Sequence, residues 1–506
     1  MGVVIRFLVA MTLAGAAHAQ TVIPLITPGS AGSSSFVNSA IAAAAQKGKE
    51  DGIAGVMASA PLDVNVRSLG AVGNGVADDT SAFAAAFTAA AAQATASRIV
   101  IPAGRYKLSA ALSMSLSSAA VTIQGGGSGV SELVWTSDTD GIVVAYASGG
   151  WWMRGSYANA AGGGGGTGAA LQVRGLSLIS DNQRIDGNGV GIALKVNGDT
   201  VSGRPSPGTV LDDLLISGAS TQQQWAEGAR LFQAGYSDIA NVKVLFSLVS
   251  GSGIGIDLAG TATTNESVDH HLRNIRVTYG ATALQVGNGV QGVYVDQLTA
   301  VANSYGIVWN NTGSAHEDSL TVSNSHINTA LRGIKASNVD TAIVHNTYFL
   351  SSNTSGQAYI GVEAVNSAML NINNNVFRGT FTGTQAGIKV SRDSSVAIQY
   401  SEQISDNQIV NMATYGIDFG ASFTGGITIA GNTLQYNGTN INPTTLPTAA
   451  VLGVNNLSGG ASIQNLAVAG VLALGAPPSS STCPASASGL TSGQFWCNSN
   501  VLTRVP

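Results

Sequence analysis

Through the middle of the chain a four-residue pattern of glycine, apolar, variable and apolar positions keeps returning. It stands at Gly191-Ile192-Ala193-Leu194, Gly228-Ala229-Arg230-Leu231, Gly255-Ile256-Asp257-Leu258, Gly306-Ile307-Val308-Trp309, Gly333-Ile334-Lys335-Ala336, Gly361-Val362-Glu363-Ala364, Gly387-Ile388-Lys389-Val390 and Gly416-Ile417-Asp418-Phe419. Ala283-Leu284-Gln285-Val286 fills the one missing slot. From Gly228 onward the steps are about 23 to 29 residues, a period that marks stacked supersecondary units. Between tetrads runs a second signal, a short apolar strand beside an asparagine, as at Ile239-Ala240-Asn241-Val242, Leu272-Arg273-Asn274-Ile275, Val344-His345-Asn346, Ile404-Ser405-Asp406-Asn407 and Ile429-Ala430-Gly431-Asn432.

Asparagine tolerates left-handed backbone and bonds its own chain, which suits a sharp bend between strands. Stacked at one bend per rung, such side chains are expected to form a hydrogen-bonded ladder. Short strands, tight bends and no long intervening helices predict an all-β fold, a right-handed parallel β-helix in which alternate tetrad positions point in and out. The solenoid is expected over residues 61–450. It follows an export signal over 1–19 and an Ala/Ser/Gly-rich arm over 20–60 with one short helix from Phe36 to Lys47, and it precedes a tail module over 451–506.

The N-terminal rungs carry more specific patterns. Leu62-Asp63-Val64-Asn65-Val66 alternates as a strand. Asp78-Asp79-Thr80 offers an N-cap to a helix whose Phe83 and Phe87, spaced i,i+4, share a buried face and plug the open end of the solenoid. Arg98 to Tyr106 reads as strand, turn and strand. The run Leu69-Gly70-Ala71-Val72-Gly73-Asn74-Gly75-Val76-Ala77-Asp78-Asp79-Thr80, followed by Ile101-Pro102-Ala103-Gly104-Arg105-Tyr106, resembles the N-terminal signature of the pectate-lyase superfamily. That group also supplies phage tailspikes and glycosidase-like β-helices. The resemblance implies a right-handed β-helix that acts on or grips polysaccharide. Asp78 and Asp79 belong to the start of that fold rather than to its chemistry.

Composition narrows the partner. Only 10% of the residues are charged, against roughly 25% in ordinary soluble domains, so Ser, Thr, Asn, Gln and Gly must make the surface polar. Such a surface suits sugars, and a net charge of −5 gives no footprint for nucleic acid. Arg6, the apolar stretch Phe7 to Ala17 and the small-x-small site Ala17-His18-Ala19 read as a secretory signal, so the protein is expected outside the cytoplasm, secreted or periplasmic. No other stretch is apolar for the roughly 20 residues that a bilayer requires, and no membrane partner is expected. Cys483 and Cys497 are the only cysteines; export permits a disulfide between them, and two buried thiols are the alternative. Without clustered histidines they make no zinc site. The Gly162 to Gly166 run beside Trp151 and Trp152 lacks the helix and lysine of a phosphate cradle, and no cofactor is expected. The ending Gly489-Leu490-Thr491-Ser492-Gly493-Gln494-Phe495-Trp496 looks like endings of phage tail proteins. Tailspike relatives are trimers and a bare β-helix also stands as a monomer, so assembly stays open, a homotrimer among the possibilities.

In the superfamily the tetrad strand carries the substrate groove. Its outward third residues form a column: Ala193, Arg230, Asp257, Gln285, Val308, Lys335, Glu363, Lys389, Asp418. With rungs about 4.8 Å apart, Arg230 with Asp257 and Glu363 with Lys335 and Lys389 are expected to pair as surface ion pairs. Two loops leaving this strand are acidic and contain histidine, one with Glu266, Asp269 and His270 and another with His316, Glu317 and Asp318. A glycosidase needs two carboxyls, about 5 Å apart for retention or about 6.5–9.5 Å for inversion. Asp257, Glu266, Asp269, Glu317 and Asp318 are the candidates, with His270 and Lys335 as polar neighbours and Arg230, Gln285, Glu363, Trp225 and Tyr305 as substrate contacts. Loops two rungs apart favour inversion. A uronate lyase would instead use Lys335, Arg273, Arg276 or His270 as base and cations. A non-catalytic glycan-binding adhesin or tail-like protein is the third reading. The chain departs from the family's polygalacturonases, since Ser252 to Asp257 keeps only the last aspartate of their strand motifs. The calcium-binding aspartates of pectate lyases are likewise not recognisable.

Overall fold

The computed structural model describes residues 62–93, 96–116, 120–146, 171–182, 190–198, 208–247, 252–260, 267–311, 319–352, 356–392, 402–419, 426–442, 451–453, 455–458, 495–498 and 501–504. The expected export signal, the expected arm and short helix, the 162–166 glycine run, Glu266, Glu317, Asp318 and Cys483 lie outside the described residues, and so does the expected Cys483–Cys497 pairing.

Thirty-three strands join through parallel pairing into one coil. Each rung contributes to three stacks. One rung runs through the tetrad strand Ile254–Ala259 and then Ser267–Thr278, which bends at Asn274 from a second sheet into a third, before the chain re-enters the tetrad sheet at Thr282–Val286. The tetrad column is held in register from Arg230 through Asp257, Gln285, Val308, Lys335, Glu363 and Lys389 to Asp418. Its expected first member is corrected. Lys195, not Ala193, pairs with Arg230, and Ala193 is fully buried.

Steric crowding explains the tetrad glycine. A Cβ on Gly333 would overlap the backbone oxygen of Gly361 one rung above and the Phe349 ring of the third sheet. The second and fourth tetrad positions fill the core. Ile256, Leu258, Ile307, Trp309, Ile334 and Phe419 are all at most 1% exposed, and Phe349 stacks on Phe377 with ring centroids 4.6 Å apart.

The bends supply the ladder. Asn241, Asn274, Asn324, Asn346 and Asn374 adopt left-handed backbone, with φ between 49° and 55°. The continuous ladder forms one residue further on. The Asn375 amide nitrogens donate to Asn407 Oδ1, those of Asn407 to Asn432 Oδ1, and those of Asn432 to Asn455 Oδ1, each bond 3.0 Å long. Each bond serves a polar group the bend would otherwise bury unpaired.

At the N-terminus α1 (Thr80–Ala91) turns Phe83 and Phe87 inward with no exposure, Phe83 edge-on to Tyr106 at 5.1 Å. Asp79 does not cap α1 through its side chain. Its carboxylate is buried and accepts from the backbone N–H of Val72 (2.6 Å) and Gly73 (3.1 Å), tying the preceding loop, while Asp78 Oδ1 accepts from Thr80 N–H at 3.0 Å. A short antiparallel hairpin, Phe495–Asn498 with Val501–Arg504, is described separately near the C-terminus.

Candidate functional site

The outer face of the tetrad sheet gathers most of the charge that the sequence placed there, and it adds a residue that strict alternation sends inward. Counting back from inward-facing Ala229, Glu227 belongs in the core. The ladder, however, skips the tetrad glycine, pairing Glu227 with Ile254 and then Ala229 with Ile256. Alternation breaks there, and the slot before the glycine turns to the outer side. Glu227, Tyr305, Arg332 and Tyr415 occupy this second column. A charge at this slot three residues before a tetrad cation, as in Glu227 with Arg230 and Arg332 with Lys335, was the available signal.

Arg230 ties two carboxyls together. Its Nε donates to Asp257 Oδ2 at 3.0 Å, and its Nη2 is paired with Glu227 Oε1. These nitrogens lie on one edge of the guanidinium, so the two acids sit side by side. Gln285 Nε2 donates to the other Asp257 oxygen at 3.2 Å. Glu227 Oε2 is buried with no hydrogen-bond partner among the described residues. Burial raises the Glu227 carboxyl above its ordinary range against the pull of Arg230, and the neighbouring Asp257 charge raises it further. Burial also raises Asp257, opposed by Arg230 and Gln285. Like charges held this near oppose each other's ionisation.

Further along the same face Glu363 accepts from Arg332 Nε at 2.7 Å and lies 3.6 Å from Lys389 Nζ. The expected Glu363–Lys389 pair is therefore present. Arg332 takes the place expected of Lys335, which makes no ion pair among the described residues. Asn442 Nδ2 donates to Asp418 Oδ1 at 2.7 Å. Tyr305 is half-buried beside Arg332 in the ladder.

Three expected site residues stand elsewhere. His270 faces the core with no exposure, bonded to Ser237 Oγ at 2.6 Å through Nδ1 and to Ser267 Oγ at 3.0 Å through Nε2. Burial pulls its pKa down to about 4; it is an interior rung residue, not a neighbour of the tetrad face. Trp225 is 1% exposed, donates Nε1–H to Leu178 O at 3.1 Å and packs edge-on against Trp135, so its indole belongs to the core. Asp269 is exposed on the second sheet with φ 63°, its Oδ1 3.1 Å from His271 Nε2, and His271 stacks on Tyr294. It does not join Asp257. Another raised carboxyl, Glu402, is pushed to about 7 by burial against the pull of Arg392, but it lies in the second sheet, 1% exposed and paired with Arg392, away from the tetrad face where Glu227 and Asp257 keep 9% and 4% exposure.

Residues 63–156 match the family described as rhamnogalacturonase A/epimerase, pectate lyase-like, and both signature runs lie inside that segment. Among solved structures the chain is similar to the A-module of a mannuronan C-5 epimerase from Azotobacter vinelandii, with 14% identity, a TM-score of 0.49, and coverage of 79% of this chain and 99% of that one. It is also similar to the N-terminal fragment of bacteriophage phi29 gene product 12, with 14% identity, a TM-score of 0.49, and coverage of 79% and 72%. A GH87 α-1,3-glucanase from Streptomyces thermodiastaticus follows with 14% identity, a TM-score of 0.35, and coverage of 79% and 69%. No curated protein sequence matches the chain.

Proposed function

We propose that this chain, a right-handed parallel β-helix protein of the pectate-lyase-like kind, is an exported enzyme that hydrolyses an extracellular or capsular polysaccharide across its tetrad face. One observation carries the reading: Glu227 and Asp257, two carboxyls of raised pKa, meet on a single edge of Arg230. A glycosidase needs one carboxyl that holds a proton near working pH and a second that is ionised beside it. Glu227, with its free oxygen, is the proton donor in this reading. Asp257, fixed by Arg230 and Gln285, is the base or nucleophile. The matched family's description and the sparsely charged, polar composition support a sugar polymer as substrate, and the reading of residues 1–19 supports export. Asp269, on the second sheet, stands apart from this pair, and Glu266, Glu317 and Asp318 lie outside the described residues.

The test incubates the protein with neutral and acidic polysaccharides and follows both new reducing ends and absorbance at the unsaturated-uronate band. Reducing ends without that absorbance, lost by orders of magnitude in Glu227→Gln and Asp257→Asn, are expected. Unsaturated ends would replace hydrolysis with elimination. Arg230 already occupies both carboxyls, and this favours a second reading, a glycan-binding adhesin; binding to glycans with no product from any of them would establish it.

A further inference from the structure

The outer face of the third sheet differs in charge from the other two. Two columns of side chains point outward along it, held in register from Leu215 and Ser217 at one end to Thr433 and Gln435 at the other, a length of about 40 Å at the usual rung spacing. Neither column contains a carboxylate, although the chain has 27 acidic residues and a net charge of −5. The tetrad face sets Asp257 beside Arg230 and the second sheet carries Asp238 near Arg273, so both of those mix the two signs. The formal charges of the third face are the cations Lys243, Arg276 and Arg378, all exposed and without an ion pair or side-chain hydrogen bond among the described residues. Lys243 and Arg276 stand directly in register, where like charges repel, and no acid offsets them. In the other column every second rung is apolar, with Leu245 38% exposed and Val301, Leu350 and Val410 half-buried.

We infer that the third sheet docks the protein on a bilayer surface carrying anionic phospholipid headgroups. Lys243, Arg276 and Arg378 meet the phosphates, and Leu245 and Leu350 enter the headgroup layer. A long, rigid strip of unpaired cations interleaved with apolar side chains complements a surface that is anionic outside and apolar just beneath. A soluble polyanion would engage the cations alone and leave the leucines in water. Among the described residues no helix is long and apolar enough to cross a bilayer, and a peripheral face needs none. The expectation of no membrane partner rested on spanning stretches, which do not bear on this face. The tetrad strands occupy another side of each rung, so docking leaves Glu227 and Asp257 uncovered, and the inference stands whether or not that pair is catalytic.

The experiment mixes the full chain with vesicles of phosphatidylcholine alone, or with about one third phosphatidylglycerol, and reads bound protein by co-sedimentation at low and high salt. The anionic vesicles are expected to bind at least about tenfold more tightly, and high salt should remove most of the difference. Lys243→Gln with Arg276→Gln should weaken that binding about thirtyfold. Arg273→Gln with Lys335→Gln removes as much charge from the second and tetrad sheets, and should change binding less than about twofold because those faces are turned away and screened. Leu245→Ser should cost several-fold on anionic vesicles and nothing on soluble dextran sulfate. All these positions are exposed or half-buried, so the variants keep the fold, which an unchanged urea midpoint verifies. Equal binding to both vesicle types, binding to neither, equal losses in the two double variants, or full vesicle binding by Leu245→Ser overturns the inference. Capture of dextran sulfate through Lys243 and Arg276 without vesicle binding would also overturn it, and would name a soluble polyanion as the occupant. A dimer that the same double variant breaks, with no vesicle binding, would name a second copy of the chain instead.

Discussion

The imidazole of His270 is enclosed by two serine hydroxyls, whereas Asp257 is enclosed by a guanidinium and an amide. That contrast governs how each titrates. Burial depresses the pKa of His270 from 6.5 to about 4, outweighing the Ser267 hydrogen bond and the Asp269 charge that favour the cation. The unfolded chain binds this proton as pH falls through 6.5, and the folded chain resists until about 4. Stability is therefore full above 6.5 and declines through that window, by about 3 kcal/mol in all. Chemical denaturation at pH 7.5, 5.5 and 4 should show the decline, and His270→Leu should remove most of its slope; an unchanged slope would place the acid sensitivity elsewhere. Arg230→Gln acts in the other direction. It leaves Glu227 and Asp257 as adjacent, poorly solvated acids, so both should take up protons at higher pH. Carbon-detected NMR titration of the two carboxyls would read the rise, and unmoved midpoints would mean that Arg230 does not govern the pair.

Strands and bends were legible because their causes are local. A tetrad glycine is required wherever a Cβ would strike the next rung, as at Gly333, and an asparagine is favoured wherever one residue must turn left-handed, as at Asn274. Alternation alone could not fix the frame at Gly191. A slip of two residues preserves which side faces inward, so Ala193 and Lys195 fit the outward column equally well until pairing with Arg230 decides between them. Glu227 was lost for the opposite reason, because the glycine beside it breaks the alternation that the reading relied on. The inward turn of His270 and Trp225 depends on partners 33 and 47 residues away in sequence, Ser237 and Leu178, which no short window of sequence displays. The ladder yields an element-scale prediction. Asn407 serves the bends on both sides, accepting from Asn375 and donating to Asn432 and to the Ile372 carbonyl. Asn407→Ala strands buried polar groups on both neighbours and should cost about 3 kcal/mol in urea unfolding. Gln403→Ala, on the exposed side of the same rung, should cost under about 0.5 kcal/mol. Similar costs for the two would mean that the ladder adds nothing beyond the surface.

Across the whole molecule each rung touches mainly the rung before and the rung after, so stability is a sum of rung terms and neighbour terms rather than the property of one central core. A lesion at one end should then be felt locally. Phe83, in the helix that closes the N-terminal end, has no exposure and packs edge-on against Tyr106. Phe377 is equally buried but stacks on Phe349 far along the coil. Either Phe→Ala change should remove about 3–5 kcal/mol of local packing. Hydrogen exchange should locate the loss: Phe83→Ala should speed exchange over residues 62–146 and leave 360–442 protected, and Phe377→Ala should do the reverse. The Glu227–Asp257 pair stands between these regions, so its geometry, and any activity it supports, should survive partial fraying at either end. Uniform acceleration along the whole coil from either substitution would show instead that the solenoid opens as one unit, and activity would then fall with the first rung lost.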